Sequence, residues 1–557
     1  MRRSVMVDFF QEVEDLTKNL VGIPSVNTAP GQETAIAGYI HQYYAELEYF
    51  KNYPERNILQ PTTGDLLERH NAISYIKGTK QGGSDQTIIL LGHIDTVGIE
   101  DFRDFSDYAT KPDQLPAILK EHFSLSQEVL DDIESGRYMF GRGALDMKAG
   151  VAGHMVLMKH FSRHPEQLCG NLIAIHECDE ESGSKGILSA LDLLVELSER
   201  EGFDYIAAIN ADYSTNHTPD DQNVYVYHGS IGKLLPTISV FGKEAHVGQS
   251  FAAFDPNLLI AMVTRQVSLN PIMSDQAKGE TTLPPISLKQ ADQKEKYTVQ
   301  TALNALAYYN VFSHGRTPSE VLDLFRDQVI IAYDETIELL QQRYDAYCQM
   351  AGIEQSQLPW KTRVYTWEEL AEELTEQSSE FPKELEKFKH DLHEKDRAMD
   401  MRMFSHEVVK FAWKKRADTS PGLVIHFGGI YNARVETMPE SDNDKRLLDS
   451  VAQAIESIQP QAKRSIKTRL FYPYISDASF LAVSDDVASL KRLELNMPSY
   501  GTKYIHELDK ILQIDVPIVN IGTFGKDGHM LTERVDKWHS FQNVPNISYQ
   551  TILKLLD

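Results

Sequence analysis

The chain has 557 residues, several times the ~150 of a typical domain, so more than one hydrophobic core is expected. Its composition, 42% hydrophobic and 24% charged, is that of a globular protein and excludes a disordered or collagen-like chain. The formal net charge of −26 would repel a nucleic-acid backbone, so we expect no nucleic-acid partner.

Residues 1–222 alternate short apolar runs with longer amphipathic segments, a rhythm that predicts an α/β sheet. Strands are predicted at 87–91, 172–176 and 205–209, and a helix at 149–161. The same rhythm returns in residues 420–557, with predicted strands at 423–427 and 518–521 and predicted helices at 445–458 and 547–556. We therefore expect these two parts of the chain to build one α/β domain.

The segment between these two parts, residues 223–419, has a different pattern. It begins with an alternating stretch at 224–227 and a predicted strand at 237–241. Long charged helical stretches follow around 320–350 and 367–401, and their charges are most simply interpreted as solvated faces. We predict that this segment is a separate inserted domain and assign no chemistry to its charged helices.

Four predicted strands run into residues that bind metals or transfer protons. Ligands at the carboxyl ends of strands lie where α/β proteins build their sites. Taken singly, each of these positions fits a hydrogen-bonded turn histidine or a solvated acidic loop. Their joint occurrence is much harder to attribute to chance. The residues, in chain order, are His93 and Asp95, the acidic run 179–181, Asp212 and His529.

A glycine-rich cluster at 141–150 places one acid, Asp146, just before a predicted helix. Glycine permits close backbone approach and unusual dihedral angles at such a turn. A G-x-G beside a helix can indicate phosphate binding, but the full G-x-G-x-x-G spacing is absent here. We therefore interpret Asp146 as a candidate ligand and disfavour nucleotide binding.

One histidine, one shared aspartate and one further acid or histidine on each side would make two three-ligand metal sites with open positions. Imidazole and carboxylate donors suit zinc, with cobalt or manganese as substitutes. Two such ions, ~3.5–4 Å apart, can activate water and polarise a carbonyl. Glu180, next to the candidate ligand Glu181, is the candidate general base. Asp95 is the candidate acceptor for the other ring N–H of His93.

Together these segments resemble the zinc-hydrolase family of aminoacylases, glutamate carboxypeptidases and succinyl-diaminopimelate desuccinylases. The matching motifs are G-H-x-D-T-V at 92–97, G-R-G-x-x-D-M-K at 141–148, D-E-E-x-G-S at 179–184, then Asp212 and His529. The resemblance implies a three-layer α/β/α catalytic domain with an inserted, enlarged α+β lid. It also implies that one zinc is held by His93, Asp146 and Asp212, and the other by Asp146, Glu181 and His529. Glu180 would then act first as base and later as acid.

The lid domain of that family carries a Gly-Lys-x-x-His segment, which residues 242–246 match. The resemblance implies that His246 stabilises the tetrahedral oxyanion. It divides the chain into a first catalytic part (1–222), a lid (223–419) and a second catalytic part (420–557). The insertion is longer than is usual in the family. It therefore either mediates a homodimer or performs, within one chain, the role that the lid of a partner subunit has in dimeric relatives.

Chain length and the segments 471–477 and 531–535 resemble a subgroup of the family that is linked to arginine utilisation. We expect a two-zinc hydrolase that cleaves an amide or peptide bond in a small N-acyl amino acid or short peptide. A strict deacylase for one metabolite is the nearest alternative, and a metal-free, inactive homologue that acts as a binding protein is another. The acidic balance disfavours a two-metal phosphatase or nuclease.

The cysteines and the hydropathy of the chain bear on its location. Three cysteines form no C-x-x-C pair and leave one thiol unmatched, which favours a reducing compartment over a disulfide framework. No stretch approaches the ~20 apolar residues of a spanning helix, and no apolar core of a signal peptide is found. We therefore predict a cytoplasmic protein without a membrane partner.

Overall fold

The computed structural model describes residues 6–557. They form two compact units, each made of more than one stretch of chain. The first unit comprises the segment that ends at Ser230, together with Val435–Val483 and Glu507–Asp557. The second unit comprises Ile231–Arg434 and Ser484–His506. The insert predicted at 223–419 lies mostly within the second unit, and its limits stay a prediction.

The strands in chain order are β1 (Asn57–Pro61), β2 (His70–Lys77), β3 (Gln86–His93), β4 (Tyr138–Phe140), β5 (Asn171–Glu177), β6 (Asp204–Asn210), β7 (Val224–Tyr227), β8 (Gly229–Ser230), β9 (Gly232–Leu234), β10 (Pro236–Phe241), β11 (Gln276–Ala277), β12 (Glu280–Thr281), β13 (Ile286–Asp292), β14 (Asn304–Ser313), β15 (Val364–Thr366), β16 (Gly422–Phe427), β17 (Val435–Glu436), β18 (Ile466–Arg469), β19 (Ile518–Asn520), β20 (Gly525–Lys526) and β21 (Arg534–Asp536).

The α-helices in chain order are α1 (Phe10–Val21), α2 (Gln32–Ala45), α3 (Glu48–Asn52), α4 (Leu115–His122), α5 (Gln127–Ser135), α6 (Ala149–Arg163), α7 (Lys185–Glu201), α8 (Pro256–Val267), α9 (Pro318–Ala351), α10 (Trp367–Gln377), α11 (Phe381–Lys395), α12 (Met401–Trp413), α13 (Asp442–Ile458), α14 (Val487–Leu495), α15 (Leu508–Ile514) and α16 (Val544–Leu555). Across residues 6–557, none of these helices combines the length and the apolar character that crossing a membrane requires.

The main sheet of the first unit has the strand order β1-β2-β5-β3-β6-β19-β7-β18, in which β5, β3, β6 and β19 run parallel. The chain moves from β3 to β5 in one direction and from β5 to β6 in the other. Because parallel crossovers are right-handed, this reversal puts α6 and α7 on opposite faces of the sheet. The predicted three-layer α/β/α architecture is confirmed. Ligand sites form where the strand order reverses, at the carboxyl ends of the strands.

The second unit contains a mixed sheet of order β13-β14-β10-β16-β15, with β9 also paired to β14. Its longest helix, α9, begins at a capping box in which the Thr317 side chain accepts from the N–H of Glu320. It ends at Gly352, whose φ of 67° is the left-handed conformation typical of a helix C-terminus. The charged stretch predicted as helix around 367–401 is two helices, because Pro382 begins a new first turn in α11.

Two strands belong to a different sheet from the one that the sequence suggested. The strand predicted at 423–427 is β16, which pairs with β10 in the second unit. The alternating stretch 224–227 is β7, which pairs with β18 and β19 in the first unit. Periodicity predicts that a segment is extended but does not identify its partner, so both strands were recognised and neither was assigned to its sheet.

A buried histidine on α6 makes the stability of the first unit depend on pH. Both ring nitrogens of His154 are buried without a hydrogen-bond partner, and burial lowers its pKa to about 3. An unfolded chain protonates histidine near pH 6.5, so the stabilisation is present above that pH and lost as the pH falls towards 3. We expect a loss of about 1.4 kcal/mol per pH unit in this window.

Urea unfolding of the metal-free protein at pH 7, 6 and 5 measures this loss. The His154→Leu variant should show a shallower decline in unfolding free energy than the wild type, because leucine takes up no proton. Chelator in every sample keeps metal release from contributing to the pH dependence. Parallel pH profiles for the two proteins would contradict the expectation.

Candidate metal centre

The predicted ligands of the first unit follow strands of its main sheet or lie in turns next to the small sheet formed by β20, β21 and β4. His93 is the last residue of β3, and Asp212 lies two positions beyond β6. Glu181 lies in the turn between β5 and α7, and Asp146 in the turn between β4 and α6. His529 lies between β20 and β21, where it adopts a φ of 63°. Residues that are distant in the sequence thus meet at one edge of the sheet.

Asp146 occupies the middle of this group. Its Oδ1 lies 2.9 Å from Nε2 of His93, and its Oδ2 lies 2.8 Å from Nε2 of His529. The two oxygens of one carboxylate therefore face two different imidazoles. This is the arrangement that a carboxylate needs if it is to bridge two cations.

One further acid lies on each side of Asp146. Oε1 of Glu181 is 2.8 Å from Nε2 of His529, and ligand-capable atoms of His93, Asp146 and Glu181 lie within 4.8 Å of one another. Asp212 is buried, and its carboxyl interacts electrostatically with Asp146 and His93. Interatomic distances thus place four of the predicted ligands next to one another. The fifth, Asp212, is placed near them by its electrostatic interactions.

The charges of this group indicate that it is built to hold cations. Burial and the charge of Asp146 raise the pKa of Asp212 to about 7 and also raise the pKa of Glu181. Burial would also raise the pKa of Asp146, but hydrogen bonds from His529 and His93 hold it well below its ordinary value. Carboxylates at this density are costly without a positive partner. A donor set of imidazole and carboxylate fits zinc, cobalt or manganese.

Asp95 is fully buried and connects His93 to the acidic turn. Its Oδ1 lies 3.4 Å from Nδ1 of His93, and its backbone oxygen lies 3.2 Å from the same nitrogen. Its carboxylate also accepts the backbone N–H groups of Glu180 and Glu181, at 3.2 and 3.1 Å. Asp95 is therefore placed to orient the imidazole of His93 and to fix the turn that carries Glu180.

Glu180 itself is half-buried beside the ligand group. Burial raises the pKa of its carboxyl well above the ordinary value, and the charges of Asp477 and Glu181 act in the same direction, whereas His93 opposes them. A carboxyl of raised pKa next to a metal centre is suited to accept a proton from water and to return it later.

A salt bridge that the sequence analysis did not identify supports the Asp146 turn. Glu533 is buried, and its Oε1 accepts the backbone N–H groups of Leu145 and Asp146, at 3.1 and 3.4 Å. Its Oε2 accepts from Nη1 of Arg142 at 2.8 Å. Arg142 lies in the motif at 141–148 and Glu533 lies in the segment 531–535. Their pairing spans 391 positions, however, and no local sequence pattern predicts it.

We expect Glu533→Gln to weaken metal binding by about 10–100-fold, the usual cost of removing a residue that orients a ligand. Competition with a chromophoric chelator measures the affinity. Asp101→Asn is the matched control, because Asp101 also accepts from Arg142 but makes no hydrogen bond to the Asp146 turn. Equal effects of the two variants would show that the Arg142 ion pair, and not support of the turn, is what matters.

The acidic turn has its own buried support, which the sequence analysis also missed. The Arg69 guanidinium bonds to Asp179 and lies 3.3 Å from Glu33. Glu33 in turn accepts the backbone N–H of Asp179 at 2.8 Å. Asp179 adopts a φ of 68°. A side chain of α2 and that of Arg69, the residue before β2, therefore hold the left-handed backbone conformation of the residue just before Glu180.

His246 belongs to the second unit and follows strand β10. It is exposed, and its Nδ1 accepts the backbone N–H of Gly248 at 3.1 Å. Its role at the metal centre stays a prediction.

Comparison with known proteins agrees with the geometry of the centre. A model of the family described as "Peptidase family M20/M25/M40" matches residues 89–506. The protein RocB of Bacillus subtilis is 32% identical over 98% of this chain and 95% of its own length. A succinyl-diaminopimelate desuccinylase of Buchnera aphidicola is 27% identical, over 31% of this chain and 40% of its own length.

Solved structures show the same fold at much lower identity. A tripeptidase from Staphylococcus aureus superimposes with a TM-score of 0.52 and 12% identity, covering 99% of this chain and all of the other. A metallo-carboxypeptidase from Sulfolobus solfataricus gives a TM-score of 0.51 and 11% identity, covering 98% and 99%.

The fold and the ligand group define a metallopeptidase or related amidohydrolase. The chain belongs to peptidase family M20/M25/M40.

Proposed function

We propose that the protein uses two metal ions to hydrolyse an amide or peptide bond in a small N-acyl amino acid or short peptide. The observation that carries this proposal is the position of Asp146, whose two oxygens face His93 and His529 separately. A further acid on each side, Asp212 and Glu181, completes two ligand sets of three. Membership of the peptidase family supports the same reaction class.

In this proposal His93, Asp146 and Asp212 hold one ion, and Asp146, Glu181 and His529 hold the other. Zinc is the proposed metal, with cobalt or manganese as substitutes. When bound, such a pair lowers the pKa of water and polarises the scissile carbonyl. With three ligands from this chain, each ion would keep an open coordination position that substrate or water could take.

The remaining steps belong to side chains of the protein. Glu180 takes a proton from the attacking water and then donates it to the leaving amine. Asp95 keeps Glu180 in place through the backbone of the acidic turn and fixes the orientation of His93. His246 of the second unit is proposed to donate a hydrogen bond to the tetrahedral oxyanion.

The setting of the reaction is also part of the proposal. The segments at 471–477 and 531–535 resemble an arginine-utilisation subgroup, which supports a substrate from arginine metabolism. The three free cysteines support a reducing, cytoplasmic location. A homodimer formed through the second unit stays a prediction that light scattering tests directly.

Elemental analysis combined with a substrate panel tests the proposed function. We expect two metal ions per gently purified chain, and release of amine from at least one member of a panel of dipeptides and N-acyl amino acids. Release from the N-acyl compounds alone would favour a strict deacylase. A protein that binds no metal and cleaves no amide would instead be a metal-free binding protein, and a phosphoester in the same panel tests the phosphatase alternative.

A further inference from the structure

A buried acid that has no part in the proposed reaction lies beside His93. Glu177 is the last residue of β5 and is in parallel register with His93 at the end of β3. Side chains at paired positions of parallel strands project from the same face of the sheet. Glu177 is 1% exposed, and its Oε2 has no hydrogen-bond partner. Its carboxyl also interacts electrostatically with Asp212 and Asp477.

Asp477 is a second such acid. It lies on a segment, residues 471–480, that is anchored at the same edge of the sheet by a 2.9 Å hydrogen bond from the Asn210 amide to the Ser476 hydroxyl. The Ser184 hydroxyl donates to Asp477 Oδ1 at 2.6 Å, whereas Oδ2 is buried without a partner. Two carboxyl groups, each with one unsatisfied oxygen, therefore lie next to the proposed ligands.

Two buried basic side chains of the first unit have other partners and do not satisfy these oxygens. Arg69 is engaged with Asp65 and Asp179, and Lys148 donates to the backbone oxygen of Ile23 at 2.8 Å. In residues 6–557 no lysine or arginine forms an ion pair with Glu177 or Asp477. A buried carboxyl without a partner is costly, so a positively charged or hydrogen-bonding group from outside the chain is expected to complete it.

The same segment contributes aromatic rings beside the acids. Tyr474 stacks on Tyr213 with ring centroids 5.2 Å apart and planes inclined by 14°, and it meets Tyr472 edge-on at 5.5 Å. Tyr213 is the residue that follows the proposed ligand Asp212, so this stacked pair lies beside the proposed metal centre. Tyrosine faces attract cations.

We infer that Glu177 and Asp477, with the ring of Tyr474, bind a positively charged group of the substrate, a guanidinium or an ammonium, next to the metal centre. The inference rests on the proposed function and specifies its substrate class. In their ionised form the two carboxyl groups would provide charge-assisted hydrogen bonds to the cation, and the aromatic face would exclude water on another side of it. An uncharged side chain of the same shape could still donate hydrogen bonds but would leave the negative charge of both acids uncompensated.

Matched substrates test this inference. Arginine and citrulline side chains have nearly the same shape, but only arginine is charged, so each is offered as the N-acetyl derivative and as the alanyl dipeptide. We expect the zinc-loaded wild type to show a kcat/KM at least about tenfold higher for the arginine compounds, because citrulline lacks the positive charge that would compensate the two buried acids.

Variants of Glu177 and Asp477 test whether these two acids cause the preference for arginine over citrulline compounds. Glu177→Gln and Asp477→Asn should each lower kcat/KM for the arginine compounds by about tenfold and leave the citrulline compounds nearly unchanged. Asp192→Asn, which removes an exposed acid paired with Lys510, is the control and should change neither. All variants should keep the wild-type metal content. Equal losses on both substrates, loss of a metal ion, or equal wild-type rates would overturn the inference.

A binding experiment separates this inference from the proposed reaction. Calorimetric titration of the zinc-loaded full chain with argininamide and citrullinamide requires no turnover. Tighter binding of argininamide that Asp477→Asn abolishes would uphold the cation site even if no amide in the panel were cleaved, in which case only the proposed reaction would fail. Equal binding of the two amides, or binding of neither, would overturn the cation site.

Discussion

Replacing Glu180 by glutamine is expected to lower kcat by about 10²–10⁴-fold, the usual contribution of a general acid–base group. Glutamine has nearly the same shape as glutamate but cannot accept the proton of the attacking water. The backbone N–H of residue 180 would still bond to Asp95, so the acidic turn should stay in place. Metal content should remain at the wild-type value, because Glu180 is not among the proposed ligands.

Steady-state rates and elemental analysis on the same preparation measure both quantities. Glu199→Gln, which changes an exposed acid on α7, is the matched control and should retain full activity. A Glu180→Gln protein that turns over at the wild-type rate would refute the assignment of the base. One that loses metal would show that Glu180 is a ligand.

Replacing Asp146 by alanine is expected to remove the metal centre as a whole. Its two oxygens face both histidines, so its loss takes one ligand from each proposed ion and leaves several buried carboxyls without a positive partner. Loss of a residue that only orients a ligand lowers metal affinity by about 10–100-fold, and loss of Asp146 should lower it further. Hydrolysis should become undetectable at metal concentrations that saturate the wild type.

Two comparison variants show whether the loss of both ions is specific to the replacement of Asp146. Asp212→Asn and Glu181→Gln each alter a ligand proposed for one ion only, so each should reduce the metal content from two ions towards one. Titration with zinc, followed by elemental analysis after gel filtration, gives these numbers. An Asp146→Ala protein that keeps two ions would eliminate the bridging role.

The candidate ligands could be selected from the sequence because each follows a strand or a glycine turn that can be recognised locally. His93 and Asp212 come directly after apolar runs, and parallel strands place their carboxyl ends together. The supporting residues were not predictable in this way. Glu533 contacts the Asp146 turn across almost four hundred positions, and Arg69 reaches Asp179 across 110. Such pairs depend on tertiary packing, which no spacing within a motif encodes.

Glu177 illustrates a third case. Its position two residues before the acidic run 179–181 is evident in the sequence. Only the register of β5 against β3 shows that its side chain lies on the same face of the sheet as His93. The membership of β7 and β16 in their sheets was hidden for the same reason, since strand pairing is a non-local property. The sequence therefore predicts what kind of element each segment forms better than it predicts the neighbours of that element.

The pairing of β19 with β6 has a consequence for synthesis of the protein on the ribosome. Asn520 of β19 bonds to the backbone of Asp212 across 308 positions, so the nascent chain exposes the edge of β6 until that distant strand emerges. At ~5–20 residues per second the delay is roughly 15–60 s. The central sheet is completed only after β19 has been synthesised, and throughout this interval the unpaired edge of β6 is open to association with other chains.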